Sequence, residues 1–508
     1  MPNELYYGDN LDVLRRYFKD DSVDLCYIDP PFNSKRNYNQ IYNNTGSEDR
    51  AQAQAFVDTW TWDAQAIAGF QQILSNDRGA FTSQTVELVK GLHKVLGEGS
   101  LLAYLVSMTL RVVEIQRVLK PTGSFYLHCD PTASHYLKLV LDSVFVPRGG
   151  EFQNEIVWGY SIGGKSKTRF GRKHDVILFY TKSKDDSHTF NGKAAAIPRK
   201  PNSHMKVGRD ADGREYQEKV DRKSGKTYRY YLDEGKSPED YWVDIETLNR
   251  EDKERLGYPT QKPEALLERI IRASSNEGDI VLDAYCGCGT TVAVAQRLNR
   301  VWKGIDITYQ SIALILKRLE EQFGQAVAQS VVLTGIPSDM RSAEALAHKK
   351  DDRLRKEFEK WAVLTFTNNR AIVNDKKGGD QGIDGRAYFL TGPNDNGKIV
   401  FQVKSGSVGR GDVSKLNNDR ARDGAEMAIL ITLRPPTRGM QDEARATGIY
   451  HHPLMDKDYP CVQIVSVQDI VEHQRRLDIP MAVEVLKKAQ ASVAVEQPTL
   501  FDGDENSA

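Results

Sequence analysis

Two stretches of this sequence combine residue types that can do chemistry. The first is Asp29-Pro30-Pro31-Phe32: a carboxylate, a stiff pair of prolines and an aromatic ring in succession. It closes the apolar run Val23-Asp24-Leu25-Cys26-Tyr27-Ile28, which reads as a buried strand, and the prolines forbid both its continuation and a helix start. A nucleobase NH2 is a poor nucleophile because its lone pair is delocalised into the ring. If Asp29 and the carbonyl of Pro30 accept its two N–H bonds, the lone pair localises and can be aimed at an electrophilic methyl. Phe32 can then stack on the face of a base taken out of its duplex. Alone, the four residues also read as a strand end with Asp29 as a turn acceptor.

The second stretch lies far downstream. Asp279-Ile280-Val281-Leu282-Asp283 reads as a strand, Ala284-Tyr285-Cys286-Gly287-Cys288-Gly289-Thr290-Thr291 as a glycine turn, and Val292 to Leu298 as a helix. Glycines let the backbone approach a ligand closely, and a helix N-terminus favours the negative part of one. Lys303-Gly304-Ile305-Asp306 ends the next strand with an acid placed to hold ribose hydroxyls. The phosphate-binding spacing G-x-G-x-x-G fails here, and a Gly-Lys-Ser/Thr loop is absent from the turn. The site therefore fits a nucleoside without a pyrophosphate, such as S-adenosylmethionine (SAM). Cys286 and Cys288 read as small residues filling a tight bend.

Around these stretches the chain alternates strand and helix patterns. Leu5 to Tyr7 is a strand ending in the polar turn Gly8-Asp9-Asn10, followed by a helix from Leu11 to Phe18. Residues 33–55 carry no period and read as a mobile loop. Helical spacing is clear from Val86 to Leu96 and from Leu101 to Leu119, before a strand from Ser124 to Cys129. Glu155–Trp158 and His174–Tyr180 read as a hairpin. From Ser161 to Tyr231 there are 18 Lys plus Arg against 8 Asp plus Glu, interleaved with Tyr216, Tyr228, Tyr230 and Tyr231. That one-signed, aromatic-dotted segment suits contact with phosphates as well as it suits a solvated surface.

A chain of 508 residues has room for two or three full cores. Its net charge of -1 gives no global signature for nucleic acid, so any such signal is local. Five cysteines form no disulfide framework or paired metal knuckle. No apolar stretch has membrane-spanning length, and Met1-Pro2-Asn3-Glu4 has no signal-peptide character. The expectation is a soluble protein of a reducing compartment, cytoplasmic and prokaryotic, with no membrane contact.

Near the C-terminus a charged amphipathic helix runs from Arg353 to Phe366, carrying Glu357 and Glu359. A glycine turn, Gly378-Gly379-Asp380-Gln381-Gly382-Ile383-Asp384, enters one strand, and Lys398 to Lys404 forms a second on which Gln402 and Lys404 share a face. If the strands pair, Asp384 converges on Gln402. One carboxylate, one amide oxygen, a backbone carbonyl and an upstream acid, Glu359 in preference to Glu357, suit Mg²⁺. Lys404 is placed to activate a water for phosphodiester hydrolysis. His451-His452 reads as surface. Ring-carbon cytosine methylation needs a Cys nucleophile, and the one Pro-Cys pair, Pro460-Cys461, lies in this wrong domain.

The pair Asp29-Pro30-Pro31-Phe32 and Asp283-Ala-Tyr-Cys-Gly-Cys-Gly-Thr290 resembles the beta class of DNA amino-methyltransferases over about residues 4 to 320. The resemblance implies an α/β, Rossmann-like, circularly permuted SAM-dependent methyltransferase domain with an inserted target-recognition segment. It gives Asp29, Pro30, Pro31 and Phe32 the catalytic roles above, and puts Asp283, Tyr285, Gly287, Gly289 and Thr290 on the SAM loop. Asp306 falls on the ribose acid, Asp9 beside the adenine of the cofactor, and Thr260, Gln261 and Lys262 on a motif whose backbone meets its methionine end. Tyr285 stands where Phe is usual. The Asp-Pro-Pro-Phe form is typical of adenine (N6) enzymes and overlaps with cytosine-N4 enzymes.

The C-terminal stretch, about 351–455, resembles the Mrr-like branch of the PD-(D/E)xK restriction-endonuclease superfamily, which carries Gln where most relatives have an acid. This implies an α/β restriction-endonuclease-like domain with Asp384, Gln402 and Glu359 around Mg²⁺. The expected layout is a methyltransferase domain over 1–323 with its target-recognition insert at 185–257, a linker at 324–350, and a nuclease-like domain over 351–480. A helix end and disordered tail follow at 481–508. Together the resemblances imply a site-specific methyltransferase acting on double-stranded DNA in restriction-modification, of a class in which homodimers are common. The alternatives are a cytosine-N4 enzyme whose C-terminal domain only binds DNA, an RNA or protein-amide methyltransferase, and a nuclease whose N-terminal half only senses SAM or target.

Overall fold

A computed structural model of the chain describes residues 1–31, 60–161, 167–185, 187–199, 205–249, 251–256, 258, 260–337, 339–348, 352–368, 370–373, 382–391 and 396–479. Phe32, the 33–55 segment, Gly378 to Gln381 and the 481–508 tail lie outside them. The described chain divides into two compact units, one built from the N-terminus to Leu333 apart from Thr308–Lys317, the other chiefly from Thr334 onward.

In the first unit the strands are β1 (Glu4–Tyr7), β2 (Val23–Ile28), β3 (Leu119–Cys129), β4 (Glu151–Gly159), β5 (His174–Thr181), β6 (Lys206–Arg209), β7 (Glu215–Val220), β8 (Thr227–Tyr231), β9 (Tyr241–Trp242), β10 (Ile280–Asp283), β11 (Val301–Asp306) and β12 (Val332–Thr334). Among the described residues they make a nine-stranded sheet in the order β12-β1-β11-β10-β2-β3-β5-β4-β9. β1, β11, β10, β2 and β3 run parallel, so they end on one edge: Tyr7 pairs with Asp306, and Asp283 with Tyr27. The chain passes from β10 outward to β11 and from β2 the other way to β3. The strand order therefore reverses between β10 and β2, where open α/β sheets leave a crevice for ligands.

The apolar runs read from sequence as buried strands are buried on both faces: β2 and β10 carry Val23, Leu25, Ile28, Val281 and Leu282 at 1 % exposure or less. The helix Ser100–Val118 is buried almost all round and packs in the same core as β2 and β3. β6, β7 and β8 form a separate antiparallel three-stranded sheet inside the 185–257 insert. The expected linker at 324–350 is structured instead. It holds a helix Gln325–Ser330, the edge strand β12 and a helix Met340–Ala347. The Val332 N–H donates to the carbonyl of Asn3, so a three-residue strand too short to show a period is fixed by a partner at the opposite end of the unit's sequence.

In the second unit β13 (Ile372–Val373), β14 (Gly385–Leu390), β15 (Asn396–Lys404), β16 (Met427–Thr432) and β19 (Val462–Ser466) form a five-stranded sheet. β14 and β15 pair, and do so antiparallel, while β15, β16 and β19 run parallel. β17 (Ile449–His452) and β18 (Lys457–Pro460) form a hairpin. His452, expected at the surface, is 2 % exposed and lies among the rings of Phe389, Tyr450 and Tyr459, because the hairpin turns alternate residues inward.

Candidate active site

The sheet edge at the β10–β2 crevice collects acids from four strand ends: Asp9 after β1, Asp306 on β11, Asp283 on β10 and Asp29 after β2. Asp283 is 4 % exposed. Burial pushes its carboxyl up to about 7, neighbouring Asp29 and Asp306 add to the rise, and hydrogen bonds from Thr291 and the Tyr285 N–H oppose it. Asp29 and Asp283, far apart in the chain, thus sense each other's charge across adjacent strands.

The glycine bend follows. Gly287 and Gly289 have φ of +51° and +74°, a region L side chains rarely adopt. The Gly287 N–H donates to Asp306 Oδ2 at 2.8 Å, and a Cβ on Gly287 would lie 3.1 Å from the Tyr258 ring. Gly289 caps the helix Thr290–Arg297. Cys286 and Cys288 are buried; a Cβ on Gly304 of β11 would lie 2.7 Å from Cys286 Sγ, so the bend sits tightly on its neighbour strand. Arg318, 2 % exposed, donates to the Cys288 carbonyl and to Thr290 Oγ1 at 3.2 Å and pairs with Glu264 at 2.6 Å. A bend of positive-φ glycines rimmed by carboxylates fits a compact ligand that carries positive charge and comes close to backbone, as SAM does.

The expected residues Asp9, Gln261 and Lys262 also have partners within the protein. Asp9 caps the first helix, accepting from the Leu11 and Asp12 N–H groups, and its Oδ2 pairs with Arg111 at 2.7 Å. Arg111 also donates to Asn10 Oδ1, and Asn10 Nδ2 to the Ala284 carbonyl, so this trio braces β1 against the bend. Gln261 uses its amide on its own loop, donating to the Glu254 carbonyl and accepting from the Leu256 N–H. Thr260 is exposed. Lys262, expected among cofactor contacts, lies 2.5 Å from Asp29 Oδ2. Pro30 is buried and Pro31 half-buried.

Sequence reasoning missed a buried network beside Asp29. His128 on β3 is fully buried; its Nδ1 is 2.9 Å from the Tyr27 hydroxyl and its Nε2 3.1 Å from Asp175 Oδ2. Tyr160 donates to Asp175 Oδ1 at 3.2 Å, and Trp158 packs edge-on against the His128 ring. Arg111 was equally hidden. A basic residue within an otherwise buried helix was the signal that could have found it.

The insert sheet stacks Arg199 on Tyr230, Arg214 on Tyr231 and Arg229 on Tyr216, at 4.0 to 4.7 Å from the ring centroids. Lys219, Arg222, Lys223 and Lys226 are exposed around the β7–β8 turn. An open cavity of about 620 Å³ lined by Lys193, Arg272, Ser275 and Arg300 lies where β10 and β11 begin, at the edge opposite the acids.

In the second unit Asp384 accepts the Val403 N–H through Oδ2 and faces Lys356 Nζ through Oδ1 at 3.2 Å. Lys356 also pairs with Glu359 at 2.7 Å, whereas Glu357 pairs with Lys360 and accepts the Tyr309 N–H. Burial and the charge of Asp384 raise the Glu359 carboxyl above its ordinary value; against the pull of burial, Asp384 and Glu359 hold the Lys356 ammonium high. Gln402 Nε2 donates to the Gly382 carbonyl at 2.6 Å. Asp384 and Glu359 therefore share an ammonium where Mg²⁺ was expected. Among the described residues no cluster of three His, Cys, Asp or Glu suits a metal. Among the described residues, two carboxylates paired to one ammonium do not make a Mg²⁺ ligand set. No helix of the described residues is long and apolar enough to cross a membrane.

Residues 354–469 match a domain described as NACHT-associated inactive Restriction Endonuclease 1. The chain is 34% identical to the type II methyltransferase M.HpaI of Haemophilus parainfluenzae over 41% of this chain and 57% of that protein. It is 28% identical to the DNA adenine methyltransferase YhdJ of Escherichia coli (strain K12) over 62% of this chain and 82% of that protein. It is 32% identical to the type II methyltransferase M1.MboII of Moraxella bovis over 39% of this chain and 74% of that protein. The chain thus spans 57% of the length of M.HpaI and more of the other two. Residues 23–317, more than half of the chain, match the N6/N4 DNA methylase family, and with the acid and the glycine bend on adjacent strand ends the chain belongs to that family.

Proposed function

We propose that the chain methylates the exocyclic N6 amine of adenine in double-stranded DNA, with SAM as donor. The observation that carries this reading is the pairing of β10 with β2, which brings the glycine bend and Asp29 to the two sides of one crevice. SAM supplies an electrophilic methyl on a sulfonium centre. The bend from Asp283 to Thr290 and the Asp306 carboxylate hold its nucleoside and amino-acid ends, and the acid rim complements its positive charge. Asp29 and the Pro30 carbonyl accept the two amine N–H groups and aim the nitrogen lone pair. Positioning supplies much of the rate in such a displacement, and no metal enters it. The motif order, acid before glycine bend, supports a circularly permuted arrangement of the fold. The Asp-Pro-Pro-Phe form and the likeness to an enzyme named as an adenine methyltransferase favour adenine over cytosine. The exposed cations of the insert suit phosphate contact.

Nucleoside mass spectrometry of plasmid from cells expressing the chain tests the reading. N6-methyladenine is expected; N4-methylcytosine would move the target to cytosine, and unmodified DNA would overturn the reading. Labelled SAM offered with DNA, RNA or protein separates the nucleic-acid substrate from an amide one. For the second unit we infer that it holds DNA without cutting it and serves a restriction-modification or defence role in that capacity. The ammonium between Glu359 and Asp384 supports this.

A further inference from the structure

We propose that Lys262 is a positioning residue for methyl transfer, which holds Asp29 in place for the target amine, and that the buried Tyr27–His128–Asp175 chain braces the end of the strand that leads to Asp29. This rests on the methyltransferase reading above and gives Lys262 a role other than cofactor ligand.

Lys262 Nζ sits 2.5 Å from Asp29 Oδ2, and the two side chains are 12% and 17% exposed. With Oδ2 taken, Oδ1 is the oxygen left to accept an N–H, so the ion pair selects which face of the carboxylate meets a base. Asp29 follows Tyr27 by two residues and stands just past the end of β2. Burial, then the charges of Asp29, Asp283 and Asp175, raise the Tyr27 hydroxyl far above its usual range, so it stays protonated. Its oxygen lies 2.9 Å from His128 Nδ1, and His128 Nε2 lies 3.1 Å from Asp175 Oδ2. Burial alone would raise Asp175, but the hydrogen bond and charge of His128, together with Lys262, hold its carboxyl below the ordinary value. Lys262 thus lies in the fields of Asp29 and Asp175, and its charge also reaches Cys288 in the glycine bend. The Tyr27 hydrogen bond anchors the end of β2, and Lys262 anchors the carboxylate two residues on.

The test measures kcat, KM for DNA, the Kd for SAM by calorimetry, and Tm on the full chain for wild type, Lys262→Met, Lys262→Arg, Tyr27→Phe and Asp175→Asn. Lys262→Met is expected to lower kcat by about 100-fold at saturating SAM, the scale of a misplaced catalytic group. Its Kd for SAM should stay within about threefold of wild type, less than one decade of affinity. Lys262→Arg, which keeps the charge, should recover part of kcat. Tyr27→Phe removes a single O–H and should lower kcat with little change in Tm; it carries the test if Lys262→Met does not fold. A Lys262→Met enzyme with wild-type kcat at saturating SAM and a lost Kd would overturn the proposal and make Lys262 a cofactor ligand. So would variants that lower Tm and leave kcat alone. Wild-type protein that transfers no methyl to DNA would instead fail the methyltransferase reading, and the proposal with it.

Discussion

At the scale of single residues, the acid rim sets two expectations. Asp29→Ala should abolish methyl transfer, measured with labelled SAM, while SAM binding measured by calorimetry survives; loss of both would show that Asp29 serves the cofactor. Asp283 gives a pH dependence. Its carboxyl titrates at about 7 in the folded chain against 3.8 ordinarily, so between those values the folded chain binds more protons than the unfolded one. Stability should therefore fall as pH rises through that window, by at most about 1.4 kcal/mol per pH unit, and Asp283→Asn should flatten the slope in denaturant titrations. A positively charged ligand favours the ionised acid, so SAM affinity should rise from about pH 6 to about pH 8 in the wild type and not in Asp283→Asn. Some of this site was legible in the sequence because Pro30-Pro31 and Gly287–Gly289 impose local backbone rules that need no partner. The pairs Lys262–Asp29, Arg111–Asp9 and His128–Asp175 were not, since they join residues 233, 102 and 47 positions apart and depend on which strands become neighbours.

At the scale of elements, the proposed function assigns the insert sheet to DNA contact. Its arginines are stacked on tyrosines and several are paired with acids: Arg209 with Glu215, Arg214 with Asp233, Arg229 with Glu218. The cations left outward cluster at the β7–β8 turn. Replacing Arg222, Lys223 and Lys226 together by Gln should weaken DNA binding across all sequences and reduce the salt slope by about one for each phosphate no longer neutralised, with Tm unchanged. A DNA affinity that keeps its salt slope would remove this turn from the interface. The long elements were legible: the helix Ser100–Val118 and the strands β2, β10 and β11 all lie within a residue or three of their sequence patterns. The three-strand insert and β12 were not, because strands of three to six residues without strict alternation look like charged loop until a partner is known.

At the scale of the whole molecule, the second unit matches an inactive restriction-endonuclease domain and holds a lysine between Glu359 and Asp384. The full chain should leave plasmid intact in the presence of Mg²⁺ or Mn²⁺. Lys356→Ala leaves Glu359 and Asp384 facing each other without a counter-charge, and that variant should gain stability on adding Mn²⁺, read as a rise in Tm, where wild type shows none. Cleavage by the wild-type chain would show that Lys356 yields its place to the metal.

The sheet order has a consequence for how the first unit comes into being. β1 and β2 leave the ribosome first, yet β11 and β10, made after residue 279, lie between them. Until those later strands emerge, the nascent chain carries Asp29 on a strand that lacks one of its two neighbours. Closure waits on pairings of long sequence separation, which makes assembly slow. A prematurely released fragment would then hold the amine-aiming turn with no pocket opposite it, and synthesis itself would delay the modification of DNA until the unit is whole.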